Sequence, residues 1–329
     1  MRSFEYIRTI TLDETFALLG QNGEQTPRAL AGGTDLLTLM KKEINIPTQL
    51  IDLKRLPDLP SGITATAQGM TIGTLTTITE IETNTQLQEK YPLLAEAAAL
   101  AATPQLRNMA TIGGNLLQRP RCWYFRNQLV NCWLKGGDEC QAQDGENQLH
   151  ALFGGGPCYA VHPSDLAPTL LALDATVQLR GPDGERTVPL AEFYTLPEAD
   201  HRQETGLAKD ELLLNIHLPN LPAGTRSTYL KAMDRKVWSF ALVGVAAIIR
   251  MEKQKIADAR LVLSGVAPIP WRVTAAEQAL VGATADAATF AQVADIALAN
   301  AESLSHNSYK ITLAKSLLRR ALTTLTTEV

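Results

Sequence analysis

PRALAGGTDLLTLMKKE, residues 27–43, sets a short apolar run, a glycine pair and a leucine-rich segment in immediate succession. PRALAGG (27–33) reads as a strand ending in the glycine pair, and TDLLTLMKKE (34–43) as a helix whose Thr34 or Asp35 can cap exposed N–H groups. TIGGNLL, residues 111–117, repeats the arrangement: it follows an apolar stretch and precedes a leucine pair. Glycine at such a turn lets the main chain approach a ligand closely, and consecutive free N–H groups make a concave, partly positive surface suited to phosphate oxygens. Either loop alone reads as a tight turn, whereas the two together read as a clasp for a diphosphate. Neither loop, nor the triplet Gly154 to Gly156, matches G-x-G-x-x-G, so a Rossmann nucleotide site is not supported.

Outward from these loops the chain alternates β-like and helical runs. TQLIDLKRL and MTIGTLTTITEIE read as strand and turn material, and YPLLAEAAALAA (91–102) as a helix. HPSDLAPTLLALDATVQLRGPDGERTVPLAEFY reads as a short helix leading into a hairpin that turns at Pro182-Asp183-Gly184. NLPAGTRS (220–227) is the best boundary, which gives a domain over 1–224 and a C-terminal α+β domain over 225–329. In the latter, FALVGVAAIIRMEKQKIADARLVLSGVAP supplies two apolar strands around a charged turn, and helical spacing follows from Trp271. No internal repeat is visible.

Composition narrows the class. The 329 residues are 45% hydrophobic and 19% charged, long enough for two or three packed units. No apolar run approaches the ~20 residues of a membrane span, and the N-terminal residues lack the apolar core of a secretory signal. Read alone, the sequence therefore predicts a cytoplasmic location, or a periplasmic one if a partner carrying the signal exports the folded complex. The net charge of −4 comes from 30 basic and 34 acidic residues without a basic stripe, which argues against nucleic acid as a partner.

All four cysteines, Cys122, Cys132, Cys140 and Cys158, fall in a glycine-rich segment, 119–159, that reads as an inserted loop. Their spacings are C-x9-C, C-x7-C and C-x17-C, without the paired knuckles of structural zinc sites, so zinc is disfavoured. Disulfides need an oxidising compartment that the N-terminus does not indicate. Four unrelated thiols remain an alternative, but the absence of cysteine elsewhere favours a metal or cluster. An iron-sulfur cluster needs four soft anionic donors. Arg119, Arg121, Arg126 and Lys135 outnumber Asp138 and Glu139 here and suit an anionic centre. In HPSDLAP, His162, Ser164 and Asp165 read equally as helix capping or ligand contact, and Lys231, Arg235 and Lys236 as a solvated basic set. No Ser-His-Asp, H-E-x-x-H or paired-carboxylate pattern rises above chance.

Five motifs in order, LAGGTDLL, QLRNMATIGGNL, HPSDLAPTLLALDA, DELLLNIHLP and LSGVAPIPWR, resemble the FAD-binding subunits of molybdenum hydroxylases, over nearly the whole chain. The 119–159 insert is similar to that of the periplasmic aldehyde oxidoreductase branch and, more distantly, the 4-hydroxybenzoyl-CoA reductase branch, where it holds an extra [4Fe-4S] cluster. The resemblance implies a two-subdomain α+β FAD-binding fold of the PCMH type, followed by a smaller α+β domain with a three-stranded sheet and helices. Carried over by position, Ala31, Gly32, Gly33, Thr34, Asp35 and Leu36, with Thr111, Gly113, Gly114 and Asn115, hold the FAD diphosphate and adjoining groups. Asp165 is then a polar contact and Lys231 lies near the flavin, while Cys122, Cys132, Cys140 and Cys158 ligate the cluster. The implied partners are a large molybdenum-cofactor subunit and a small [2Fe-2S] subunit, in a heterotrimer or its dimer. Electrons reach FAD through the iron-sulfur centres and leave to an external acceptor, and no side chain is expected to act as acid or base. The alternative is a non-catalytic scaffold with a structural four-cysteine metal site.

Overall fold

The computed structural model describes residues 1–21, 26–198 and 201–327, which form three sheets. The first contains β1 (Glu5–Ile7), β2 (Pro27–Leu30) and β3 (Gln49–Asp52), all parallel, with β3 in the centre. Parallel neighbours need crossovers, and the helices Leu12–Leu19 and Leu36–Lys41 supply them. Thr11 caps the first helix by accepting from the Glu14 N–H at 3.2 Å, and Leu12, Phe16 and Leu19 pack with Ile51 and Leu53. The second helix starts at Leu36, and contrary to expectation neither Thr34 nor Asp35 caps it. The Asp35 carboxylate is taken instead by charged donors from the insert, as described below.

The second sheet, antiparallel throughout, contains β4 (Ile63–Thr66), β5 (Gly69–Gly73), β6 (Thr176–Gly181), β7 (Gly184–Pro189) and β8 (Leu212–Pro219), in the order β4-β5-β8-β6-β7. The expected hairpin is present: Gly181 pairs with Gly184 across Pro182-Asp183, and Gly184 has φ 119°, a region that favours glycine. MTIGTLTTITEIE departs from the strand-and-turn reading, since β5 is followed by a helix, Ile78–Thr83. The reason is a capping box: the Glu80 N–H donates to Thr77 Oγ1 (3.2 Å), and the Thr77 N–H donates back to the Glu80 carboxylate (2.7 Å).

The C-terminal sheet contains β9 (Thr225–Ala232), β10 (Val243–Glu252), β11 (Lys255–Ser264) and β12 (Trp271–Arg272), in the order β12-β11-β10-β9. The expected three strands thus gain a two-residue fourth at one edge. Glu277 pins it, accepting from the Leu261 N–H of β11 (2.8 Å) and from Arg272 Nε (2.9 Å). The run VGVAAII does not alternate with polar residues because β10 is covered on both faces. Val245, Ala247 and Ile249 pack with the C-terminal helices, whereas Ala246 and Ile248 join the core of the preceding domain. No helix among the described residues is long and apolar enough to cross a membrane.

The 119–159 insert, as expected, is a loop, with only a 3-10 turn at Trp133–Lys135 among its described residues. Its far end is tied to the last helix, Tyr309–Thr327, and to the residues just before it. Asn307 Nδ2 donates to the carbonyls of His150 and Ala151 (both 3.1 Å), and the buried Lys310 Nζ donates to those of His150 (3.0 Å) and Gly265 (2.8 Å).

A buried ion pair crosses the seam between the two domains. Asp165 precedes the helix Leu166–Ala172, and its carboxylate accepts from Lys231 Nζ (2.8 Å) and from the Tyr229 hydroxyl (2.8 Å), both on β9. Burial pushes the Asp165 carboxyl above its ordinary range, against the opposing pull of Lys231 and Tyr229. Removing one member of such a pair leaves an uncompensated buried charge. Asp165→Asn is therefore expected to destabilise the protein by about 3–5 kcal/mol, and Asp165→Asn with Lys231→Met by much less. Denaturant unfolding followed by circular dichroism checks this. A loss under about 1 kcal/mol for the single variant, the worth of an exposed pair, contradicts it.

Candidate cofactor site

The two glycine loops meet main chain to main chain. A Cβ on Gly32 would lie 1.9 Å from the Met109 carbonyl oxygen, and one on Gly113 would lie 1.9 Å from Thr74 Oγ1. Gly33 has φ 71°, a turn that an L side chain rarely adopts. Gly114 is roomier, with only Thr111 Oγ1 near its Cβ position, at 3.1 Å. Ala31, Gly32, Gly33, Thr34, Asp35 and Leu36 all line a cavity of about 430 Å³, with Thr111, Gly113 and Gly114 opposite.

The loops differ in what they offer a ligand. Among the described residues, the N–H groups of Gly32, Gly33, Thr34, Asp35 and Leu36 donate to no protein acceptor. In the second loop four successive N–H groups are used: Ile112 donates to Thr76 O (2.8 Å), Gly113 to Thr74 O (3.0 Å), Gly114 to Thr111 Oγ1 (3.2 Å) and Asn115 to Thr111 O (2.8 Å). The expectation that both loops present free donors is thus corrected. The second opens the short helix Ile112–Leu116, lies against residues 74–76 and supplies a close wall, while the first supplies the donors.

Other expected ligands are turned elsewhere. Asn115 is not on the cavity wall, and its Oδ1 accepts from the Ser164 hydroxyl. Ser164 also answers the capping question in HPSDLAP, since its Oγ accepts from the N–H groups of Leu166 (3.2 Å) and Ala167 (3.0 Å). Asp165 and Lys231 are brought together, with the Tyr229 hydroxyl and the Leu100 carbonyl as their further partners, and line neither this cavity nor the one between 161–164 and Ser264-Gly265. The Asp35 carboxylate accepts from the Arg119 N–H (2.9 Å), from Arg126 Nη2 (2.7 Å) and from Arg121. This acid in the donor loop anchors the base of the insert.

A second cavity of about 380 Å³ lies between residues 161–164, the loop 234–242 and Ser264-Gly265. Trp238, Phe240 and Pro163 make its wall flat and apolar, and Cys122 and His150 reach it from the insert. Sequence reasoning took 231–236 as a solvated face and passed over the aromatic pair just beyond it. Trp238 and Phe240 in an otherwise polar stretch were the available signal.

Cys122, Cys132 and Cys158 share one apolar cluster with Leu39, Phe125, Trp133 and Leu134, and all four thiols are free. Main-chain N–H groups aim at every sulfur: those of Tyr124 and Phe125 at Cys122, Leu134 and Lys135 at Cys132, Ala142, Gln143 and Tyr159 at Cys140, and Ala160 at Cys158. Burial pushes the Cys122 thiol up to about 12, while the hydrogen bond from Cys158 holds Cys140 down at about 6. Among the described residues, no three His, Cys, Asp or Glu side chains converge as a single ion requires. Cys122, Cys132 and Cys158, which share the apolar cluster, are soft donors of the kind an iron-sulfur centre takes. The basic residues of the insert do not supply its counter-charge. Arg119 pairs with Glu204 (2.9 Å), Arg121 and Arg126 with Asp35, and Lys135 Nζ donates to the Asn127 carbonyl.

Comparison with known proteins agrees with this geometry. The family model described as the FAD binding domain in molybdopterin dehydrogenase matches residues 2–221, and that of the CO dehydrogenase flavoprotein C-terminal domain matches residues 228–325. The chain is 39% identical to the aldehyde oxidoreductase FAD-binding subunit PaoB of Escherichia coli (strain K12), over 98% of each chain. It is 31% identical to the carbon monoxide dehydrogenase medium chain of Hydrogenophaga pseudoflava, over 97% of this chain and 96% of that one. A solved structure of carbon monoxide dehydrogenase from that organism superposes with a TM-score of 0.76 at 30% identity, covering 98% of this chain and 96% of the other. With both its domains matched in order and a relative this similar along its whole length, the chain belongs to the FAD-binding flavoprotein subunits of the molybdenum hydroxylases.

Proposed function

We propose that this flavoprotein subunit serves an aldehyde-oxidising molybdenum hydroxylase, in which it assembles with a large molybdenum-cofactor chain and a small [2Fe-2S] chain and carries a [4Fe-4S] cluster of its own. The aldehyde assignment is supported by the 39% identity to an aldehyde oxidoreductase subunit. The FAD-binding domain takes residues 1–224 with the insert at 119–159, and the C-terminal domain takes 225–329. Bound FAD supplies a centre that accepts electrons singly and releases them in pairs, and the protein sets its orientation and environment.

The observation that carries the cofactor reading is the row of unpartnered N–H groups from Gly32 to Leu36. These donors meet the diphosphate oxygens, and Thr111, Gly113 and Gly114 close on its other side. The 380 Å³ cavity would take the isoalloxazine ring, with Trp238, Phe240 and Pro163 offering it apolar surface. Asp165 and Lys231 hold the two domains in register around the ring and do not bind it directly. Cys122, Cys132, Cys140 and Cys158 ligate the cluster, supported by the main-chain donors behind each sulfur.

Two variants test these assignments. Gly32→Ala forces a Cβ onto the Met109 carbonyl and parts the loops, so the purified protein is expected to lose most of its flavin absorbance while keeping its circular dichroism spectrum. Gly114→Ala, whose Cβ would meet only the Thr111 hydroxyl, at 3.1 Å, asks for a shift of a few tenths of an ångström at one side chain and is expected to retain FAD. Full flavin occupancy in the Gly32 variant rejects the diphosphate assignment.

Cys132→Ser removes one buried ligand of a four-thiolate site and leaves an open, labile iron. The iron-to-flavin ratio is expected to fall while most FAD stays bound, as measured by metal analysis and absorbance. An unchanged ratio overturns the ligand assignment, and stoichiometric zinc in wild-type protein isolated without added metal favours the scaffold reading.

A further inference from the structure

Cys122 stands where the insert borders the second cavity, and its sulfur is approached by a side chain as well as by peptide groups. Nε2 of His150 lies 3.2 Å from Cys122 Sγ. The ring is held in place. It packs edge-on against Trp123, with centroids 5.1 Å apart at 79°, and the His150 carbonyl is fixed by Asn307 and Lys310. At the other cysteines the N–H donors are peptide groups, which evolution can alter only by moving the chain. The imidazole is therefore the adjustable donor in this environment.

A sulfur that ligates iron carries no proton, so its contact with His150 is attractive only when Nε2 bears the hydrogen and donates it. A donor to a ligating sulfur draws electron density away from the centre and favours its more negative, reduced state. We propose that His150 is a positioning residue whose Nε2–H bond to Cys122 Sγ raises the reduction potential of the cluster. This rests on the four-cysteine reading given above. Both Cys122 and His150 line the cavity assigned to the flavin ring.

The test uses the complex purified with its partner subunits. His150→Leu removes the donor and keeps most of the bulk, whereas His150→Gln keeps an N–H. Iron and flavin contents are measured first, and the centre is then titrated with reductant and followed by electron paramagnetic resonance. The Leu variant is expected to keep its iron and FAD and to titrate at a lower potential, with the Gln variant close to wild type. If the Leu variant loses iron and the Gln variant restores both iron and the wild-type potential, the proposal also stands. An iron-replete Leu variant with an unchanged potential and spectrum overturns it, as does loss of iron from both variants, which makes the residue merely structural. Wild-type protein that holds zinc and no iron overturns the cluster reading itself, a failure recognised before any variant is compared.

Discussion

Asp165 heads a helix of the FAD-binding domain and Lys231 lies on β9 of the C-terminal domain, and neither charge is tolerable in the core unless the other arrives. Taking two ions out of water costs several kcal/mol each, so the pair persists only with good geometry and with its remaining donors and acceptors satisfied. Tyr229 provides one partner and the Leu100 carbonyl another, at 3.1 Å from Lys231 Nζ. The consequence is register: β9 and the helix Leu166–Ala172 have one permitted alignment. The two-faced burial of β10 extends that constraint, since Ala246 and Ile248 belong to the neighbouring domain's core. The cavity between 161–164 and Ser264-Gly265 has a defined width because this seam is fixed.

Asp35 exerts a second constraint, on the insert. A carboxylate at the start of a helix ordinarily serves the helix, but three donors from Arg119, Arg121 and Arg126 offer stronger, charge-assisted bonds. Their effect is to clamp the insert to the loop whose N–H groups remain free. The cysteine-bearing insert and the glycine loop at 31–36 are thus mechanically joined.

Much of this was legible in the chain. Local signals that need no partner survived folding: the glycine pair after β2, the hairpin at Pro182-Asp183-Gly184 and the irregular insert. What failed was reading that required knowing the neighbour. Asp165 and Lys231 are far apart in sequence, so two polar residues placed near the cofactor gave no hint that each was the other's ligand. The TIGG loop looks like the AGGT loop until residues 74–76 come alongside and use its N–H groups. Ser164, not Asp165, caps its helix, because the acid is drawn to Lys231. The basic residues of the insert read as a counter-charge for a cluster, yet Arg119, Arg121 and Arg126 have carboxylates of their own and Lys135 is held by a main-chain carbonyl. The two-residue β12 depends on Glu277 bridging to β11, which periodicity does not register.

Lys310 bears on how such a protein is made. Its amine and the Asn307 amide hold the carbonyl of His150 from 160 and 157 residues further along the chain. On the ribosome these bonds cannot form until nearly all of the polypeptide has been synthesised, by which time the N-terminal domain has had the opportunity to fold. Until then the far end of the insert lacks its final tether. The late helix thereby places the closing of the insert among the last steps of folding, without any dedicated moving part.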